Sequence, residues 1–127
     1  MDKPRFVLDS SVLIGSLNHK LDLFAFLEAQ GECEIFTTLV SEIETLAKPG
    51  MTGEEEFEIR AVLRCFKRVE IDDAIRDIAV QIRRTKKLLL PDALIAASAI
   101  SLHATVLSND PHLRDYQSDG YKARSIP

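Results

Sequence analysis

The chain has 127 residues, of which 46% are hydrophobic and 28% charged, and its formal net charge at pH 7 is -4. This composition is typical of a globular protein with a core of its own, and it excludes a disordered chain. The negative charge argues against a protein that simply coats nucleic acid. It leaves open an enzyme that acts on nucleic acid, because carboxylates loaded with divalent cations are locally less negative.

The two cysteines, Cys33 and Cys65, form no C-x-x-C pair and have no histidine at ligand spacing. This pattern predicts free thiols in a reducing compartment. The sequence also shows neither an apolar run of membrane length nor a signal-peptide pattern at its N-terminus. We therefore expect a soluble cytoplasmic protein with a single domain over residues 1–127.

Short apolar runs alternate with helical patterns along the chain. Residues 5–8 predict a buried strand that ends at Asp9, and the helical pattern that follows ends at Gly31. A second strand is predicted over residues 34–38, and the S-x-x-E pattern of residues 41–44 predicts a capping box that opens the next helix. Further strands are predicted at residues 69–71, 104–107 and, weakly, 121–126. Further helices are predicted after Thr52, after Asp72 and over residues 90–100. This alternation predicts a three-layer α/β/α domain with a mostly parallel sheet of four to five strands.

Three acidic residues map to the carboxyl ends of the predicted strands, where ligands bind in such sheets. Asp9 follows the first strand, Glu44 lies one turn into the helix after the second, and Asp110 follows the fourth. Each one alone is a common cap or turn residue, whereas several on one sheet edge indicate a carboxylate cluster. Ligands that are all oxygen favour Mg²⁺ or Mn²⁺ over zinc, and such sites usually act on phosphate esters.

Asp92 lies at the start of the apolar helix predicted over residues 90–100. It has two interpretations: an N-cap that accepts hydrogen bonds from the first turn, or a metal-binding carboxylate at a cleft. A helix that spans the sheet before the fourth strand is expected to begin at the edge opposite to the cluster. Position alone therefore leaves both interpretations open.

Other chemistries have little support in the sequence. The phosphate-binding patterns G-x-x-x-x-G-K-[ST] and G-x-G-x-x-G and the hydrolase pattern G-x-S-x-G do not occur. The three histidines share no spacing and are interpreted as surface residues. A basic cluster ends the helix after Asp72, either as a solvated helix end or as a contact for RNA phosphates. Its residues are Arg83, Arg84, Lys86 and Lys87.

Taken together, these stretches resemble the PIN-domain nucleases, and within them the VapC-type toxins of toxin–antitoxin pairs. The resemblance runs over nearly the whole chain, and the string Leu-Pro-Asp-Ala-Leu-Ile-Ala-Ala at residues 90–97 is its most specific part. The other matching stretches are residues 7–14, 40–46, 49–50 and 107–110. The resemblance implies a PIN-like fold and a site built from four acids.

By position, the resemblance implies an acidic quartet with two supporting hydroxyls. The quartet is Asp9, Glu44, Asp92 and Asp110, and the hydroxyls are those of Ser11 and Ser108. Glu44 is preferred to Glu42 because the family pattern has a Ser or Thr, two residues and then the acid. The resemblance also places Asp92 at the metal site.

The fourth acid departs from the family pattern. Asp110 is followed by Pro111, and the Asp-Phe pair that often trails this acid is only approximated by Asp115 and Tyr116. Asp115 therefore stays an alternative to Asp110 as the fourth ligand.

The resemblance implies an endoribonuclease that uses Mg²⁺ or Mn²⁺ and a metal-activated water to cleave RNA. It further implies a 5′-phosphate product, a homodimer and a small VapB-like antitoxin that blocks the cleft. Two other functions remain open at this point. One is a housekeeping RNA-processing PIN nuclease, and the other is a PIN-like binding module that does not cut.

Overall fold

A parallel β-sheet with helices on both faces forms the centre of the computed structural model, which describes residues 3–127. Within these residues the sheet has five strands: β1 (Arg5–Leu8), β2 (Glu34–Thr37), β3 (Lys67–Arg68), β4 (Thr105–Leu107) and β5 (Ala123–Arg124). Their order is β3-β2-β1-β4-β5, and every neighbouring pair is parallel. The predicted α/β/α architecture is confirmed. All carboxyl ends consequently lie along one edge, with β1 in the middle.

Seven helices connect these strands within the same residues. They are α1 (Ser10–Leu17), α2 (Leu23–Ala29), α3 (Leu39–Leu46), α4 (Gly53–Leu63), α5 (Asp73–Arg84), α6 (Leu90–Leu102) and α7 (Pro111–Arg114). All except α6 begin at an Asp or Thr whose side chain accepts a backbone hydrogen bond from the first turn. Among the helices of residues 3–127, none combines the length and the hydrophobicity that a membrane span requires.

The sheet separates two hydrophobic clusters. Along β1, Phe6 and Leu8 point to the cluster on the side of α1, α2 and α4, whereas Val7 points to the cluster of α5 and α6. This is the alternation that a strand buried on both faces produces. Helix α6 is the most buried helix, because most of its central residues are fully enclosed between α5 and the sheet.

Two local predictions were wrong in their boundaries. The helix expected to open with a capping box at Ser41 begins at Leu39, because the hydroxyl of Thr38 accepts the Ser41 N–H at 3.1 Å and caps the chain as soon as β2 ends. The third strand is Lys67–Arg68, not residues 69–71. Val69 donates one more backbone hydrogen bond to Thr37 and then turns into the core, so the edge strand is short.

Candidate active site

Four acidic side chains from four different segments face one another at the carboxyl edge of the sheet. Asp9 follows β1, Glu44 lies on α3, Asp92 lies in the first turn of α6, and Asp110 follows β4. The charges of Asp9, Asp110 and Glu44 each raise the pKa of Asp92, which places all four carboxylates within electrostatic reach of one another. We call these four residues the acidic quartet.

The start of α6 explains how Asp92 reaches this edge. The expectation that such a helix begins at the opposite edge was wrong, because a crossover helix runs antiparallel to the strands it joins. Helix α6 ends at Leu102, just before the amino end of β4, and its 13 residues span about 20 Å. Its first turn therefore lies at the carboxyl edge, beside Asp9.

Asp92 is not the N-cap of α6. The N-cap position is Leu89, no side chain caps the helix there, and Pro91 fills one of the first positions, where a missing N–H costs little. The interpretation of Asp92 as a capping residue is thus wrong. Its carboxylate lies in the first turn, where the helix dipole favours negative charge, and it is turned towards the other acids.

Burial and repulsion both raise the pKa of carboxylates in the quartet. Burial, followed by the charges of Asp9, Asp110 and Glu44, raises the pKa of Asp92 to about 6. Partial desolvation, with the charges of Asp9 and Asp110, also raises the pKa of Glu44. The quartet therefore carries more negative charge than its surroundings stabilise, which is the condition for binding a cation.

A network of two serines joins the turn after β1 to the turn after β4. Ser108 Oγ donates to Asp9 Oδ2 at 2.8 Å and accepts the Asp110 N–H at 3.0 Å. Ser11 Oγ lies 3.3 Å from Ser108 Oγ and accepts the Asn109 N–H at 2.9 Å. Because the single Ser108 proton goes to Asp9, Ser11 is the donor between the two hydroxyls. Asp9 and Asp110 are thereby fixed relative to each other.

Asn109 adds an anchor that the sequence did not reveal. Its Nδ2 donates to the Ile126 carbonyl at 2.9 Å, and its Oδ1 accepts the Ile126 N–H at 2.8 Å. The Ile126 side chain is buried in the cluster on the side of α1 and α2. The backbone of Ile126 therefore fixes the turn that carries Ser108 and Asp110. In the sequence, the only sign of this anchor is the asparagine that stands between Ser108 and Asp110.

Two further neighbours of the quartet were also missed. Ser10 Oγ donates to Glu44 Oε1 at 3.4 Å, so the residue after Asp9 links two of the acids. The half-buried Tyr121 donates its hydroxyl to the Leu113 carbonyl at 2.6 Å. Burial, followed by the charges of Asp9 and Asp92, raises the pKa of Tyr121. This phenol therefore lies near the quartet as a neutral group.

Glu42 and Glu44 have different environments although both lie on α3. Glu42 is buried and accepts two hydrogen bonds from Arg68, at 2.8 and 2.7 Å, and one from the Thr37 hydroxyl at 3.0 Å. The Arg68 guanidinium lowers the pKa of Glu42. Residues two apart lie on opposite sides of a helix. The structure thus brings Glu44, and not Glu42, to the quartet.

Asp115 does not join the acids. Both of its carboxylate oxygens accept hydrogen bonds from Arg114, at 3.0 and 3.2 Å, and 65% of its side chain is exposed. Asp110 instead faces Asp92 and also accepts the His112 N–H as the N-cap of α7. Between the two alternatives for the fourth acid, the geometry favours Asp110.

The basic cluster lies in and after the last turn of α5, and all four side chains are exposed. Its residues are Arg83, Arg84, Lys86 and Lys87. Arg83 also donates to the Leu88 carbonyl at 2.6 Å and so closes the loop that leads into α6. The cluster therefore stands a few residues before Asp92 along the chain.

Comparison with known proteins identifies the family. The family model of the PIN domain matches residues 6–118. The chain belongs to the PIN domain family. PIN domains are nucleases and generally use divalent metals.

Solved structures share this PIN fold. VapBC2 of Rickettsia felis, bound to a DNA fragment from its promoter, matches with a TM-score of 0.80 at 16% identity over 97% of this chain and 99% of that one. A toxin–antitoxin complex of Klebsiella pneumoniae matches with a TM-score of 0.73 at 23% identity over 91% and 93%. VapBC-5 of Mycobacterium tuberculosis matches with a TM-score of 0.70 at 21% identity over 96% and 98%. At these identities the neighbours show a shared fold. No curated protein matches the chain in sequence.

The donor atoms of this PIN domain suit a hard cation, although they do not converge on one point. Within residues 3–127, no three Asp, Glu, His or Cys side chains are grouped tightly enough to hold a metal ion. The quartet nevertheless offers only oxygen ligands, which are the ligands that Mg²⁺ and Mn²⁺ prefer.

Replacing Asp92 tests the repulsion within the quartet. Because folding raises the Asp92 pKa from 3.8 to about 6, ionisation of this group lowers stability as the pH rises through that interval. We expect Asp92→Asn to be more stable than the wild type above about pH 7, by roughly 1 kcal/mol after allowance for solvent screening. The difference should vanish below about pH 3, where the wild-type carboxyl is protonated in both states.

The measurement is the thermal midpoint of both proteins in EDTA across this pH range. Asp115→Asn is the control, because it removes a carboxylate that Arg114 already neutralises. A thermal midpoint of Asp92→Asn at or below that of the wild type at high pH would contradict the assigned repulsion.

Replacing Ser108 tests the serine network. Ser108→Ala leaves the buried Asp9 Oδ2 and the Asp110 N–H without this partner, so we expect a loss of about 1–3 kcal/mol in the free energy of unfolding. Ser10→Ala, which removes only a long 3.4 Å contact at an exposed position, should cost less than about 0.5 kcal/mol. Urea denaturation measures both, and equal losses would show that the network does not fix the site.

Proposed function

We propose that this PIN domain is a metal-dependent endoribonuclease and the toxin of a VapBC-type toxin–antitoxin pair. The observation that carries the proposal is the acidic quartet, in which four carboxylates from four segments are held at one sheet edge despite their repulsion. A module that only binds RNA or protein has no need of such a cluster, because the cluster repels a phosphate backbone until a cation is present.

We assign Asp9 and Asp92 as the principal ligands of Mg²⁺ or Mn²⁺, with Glu44 and Asp110 completing the coordination directly or through water. When bound, such an ion lowers the pKa of a water molecule and neutralises charge on the leaving oxygen. In the hydrolysis, the water oxygen bonds to phosphorus and the 3′ oxygen leaves, which gives 5′-phosphate and 3′-hydroxyl ends.

The surrounding residues orient the ligands. Ser108 holds one oxygen of Asp9 and leaves the other free, while Ser11 holds the turn after β4 through the Asn109 N–H. Ser10 contacts one oxygen of Glu44. The apolar body of α6 fixes Asp92, because its central residues are fully buried. This preorganisation reduces the movement that binding a cation requires.

RNA binding is assigned to the exposed basic cluster before α6. Its charges lie a few residues from Asp92 along the chain, and Arg and Lys side chains bind phosphates without regard to sequence. The residues are Arg83, Arg84, Lys86 and Lys87. Arg83 has the smaller role, since it already holds the loop through the Leu88 carbonyl.

The proposed protein partners are a small VapB-like antitoxin and a second copy of the chain. Large exposed apolar side chains on several helices support protein contacts. Phe24 and Phe57 on α2 and α4 are 48% and 75% exposed, and Ile71 and Leu90 beside α5 are 43% and 56% exposed. Large exposed apolar side chains commonly mark interaction sites. The free cysteines suit the reducing cytoplasm in which such a pair would act.

Cleavage of RNA by a matched pair of variants tests the proposal. Purified protein incubated with structured RNA and Mn²⁺ should produce fragments with 5′-phosphate ends. Asp9→Asn keeps the size of the side chain but removes a ligand charge, and we expect it to lower the cleavage rate by on the order of 100-fold or more.

Asp115→Asn is the control and should cut at the wild-type rate, because Asp115 lies outside the quartet. Equal cleavage by the wild type and Asp9→Asn would overturn the assigned site. Co-purification with a small protein encoded beside this chain separates the toxin from a housekeeping nuclease, for which the protein would purify alone.

A further inference from the structure

A second charged surface lies on the far side of α3 from the quartet. It is a concave space of about 330 Å³ between α3, α4 and β3, which we call the arginine groove. The residues that matter for its chemistry are Glu42, Arg60, Leu63, Arg64, Phe66 and Arg68. The proposed function uses none of them.

The groove carries an excess of positive charge in a chain whose net charge is -4. Its single carboxylate, Glu42, already accepts three hydrogen bonds from Arg68 and Thr37. Arg60 pairs with Glu56 at 3.0 Å, but both side chains are half exposed, so the pair is weak. Among residues 3–127, no carboxylate forms an ion pair with Arg64. The three guanidinium groups thus face two carboxylates, Glu42 and Glu56, and Arg64 is the one without an ion pair among residues 3–127.

The three arginines lie at defined positions around the groove. Arg60 lies in the last turn of α4 and Arg64 is its C-cap with helical backbone angles, so the two are one turn apart and project from the same face. Arg68 is fixed by its two hydrogen bonds to Glu42, yet 59% of its side chain remains exposed. A guanidinium held in this way is preorganised to bind an anion with little further loss of side-chain entropy.

The chemistry of the groove suits a nucleotide better than a simple anion. Guanidinium groups bind phosphate oxygens in pairs, and the half-buried ring of Phe66, which stacks on Phe24, offers an apolar surface beside them. Single-stranded RNA is recognised by this combination of basic groups for the phosphates and flat or apolar groups for the bases. A carboxylate-bearing peptide would use the arginines and leave the apolar surface unused.

The groove is also placed to contact the same RNA as the quartet. Glu42 lines the groove and Glu44 belongs to the quartet, and the two lie on opposite sides of α3. A single strand that crosses α3 would reach both. We propose that the arginine groove binds a nucleotide of single-stranded RNA that flanks the cleavage site. This inference rests on the proposed function for the identity of the polymer.

Salt-dependent RNA binding tests the groove separately from cleavage. The probe is a short fluorescein-labelled single-stranded RNA, measured by fluorescence anisotropy in EDTA over a range of KCl concentrations. For the double variant Arg60→Ala with Arg64→Ala, we expect Kd to rise about tenfold. The slope of log K against log salt should become shallower by about 1.4, or roughly 0.7 for each lost phosphate contact.

The matched control removes the same charge elsewhere on the surface. Lys20→Ala with Lys122→Ala changes two exposed lysines outside the groove and should leave the slope close to that of the wild type. Arg64→Ala alone breaks no ion pair among residues 3–127, so it should fold normally and give about half of the change in slope. Thermal midpoints check the folding of every variant.

The outcomes distinguish this inference from the proposed function. The groove proposal is overturned if the arginine variants bind RNA with the same Kd and the same salt slope as the lysine control. It is also overturned if the protein binds a glutamate-rich peptide more tightly than RNA. The expected loss of RNA affinity together with no cleavage of RNA in Mn²⁺ supports the groove and overturns the nuclease. In an active enzyme, the arginine variants should raise KM and leave kcat unchanged.

Discussion

Repulsion between four carboxylates is the constraint on which the rest of this structure depends. Asp92 shows it most directly, because its pKa rises to about 6 through burial and through the charges of its three neighbours. A fold that keeps these carboxylates close together must fix each of them through contacts with the rest of the chain. Asp9 and Asp110 are held by the serine network, Asp9 also caps α1, and Asp110 caps α7. The repulsion lowers the stability of the folded chain, and binding of a cation would raise it again.

Helix α6 carries the least compensated of these charges. It lacks a side-chain N-cap, and its first turn presents Asp92 to the other acids instead of using it to satisfy the helix end. Its stability therefore comes from packing. The alanines of its centre allow a close approach to α5 and the sheet, and the helix buries them completely. Burial of the apolar part of α6 thus fixes the direction in which its first turn presents the Asp92 carboxylate.

Much of the fold follows from the sequence because its signals are local. The apolar strand runs and the Asp and Thr caps lie within a few residues of the elements they define. The positions of Asp9 and Asp110 follow from the strand ends. The antiparallel course of a crossover helix is enough to place Asp92 at the carboxyl edge, so the expectation of the opposite edge was wrong for a reason that the sequence already contains. Glu44 differs from Glu42 through Arg68, which lies 26 residues from Glu42. The clamp of Asn109 on Ile126 and the position of Tyr121 near Asp92 likewise depend on packing between distant segments. A single sequence gives no local sign of such contacts.

The central claim is that the quartet binds a divalent cation, and a thermal melt with added Mn²⁺ tests it most directly. A ligand that binds only the folded state raises the midpoint in proportion to the logarithm of its concentration. We predict such a rise for the wild type and a much smaller one for Asp9→Asn, with Asp115→Asn behaving as the wild type. A wild-type midpoint that does not respond to Mn²⁺, or an equal rise in Asp9→Asn, would contradict the account.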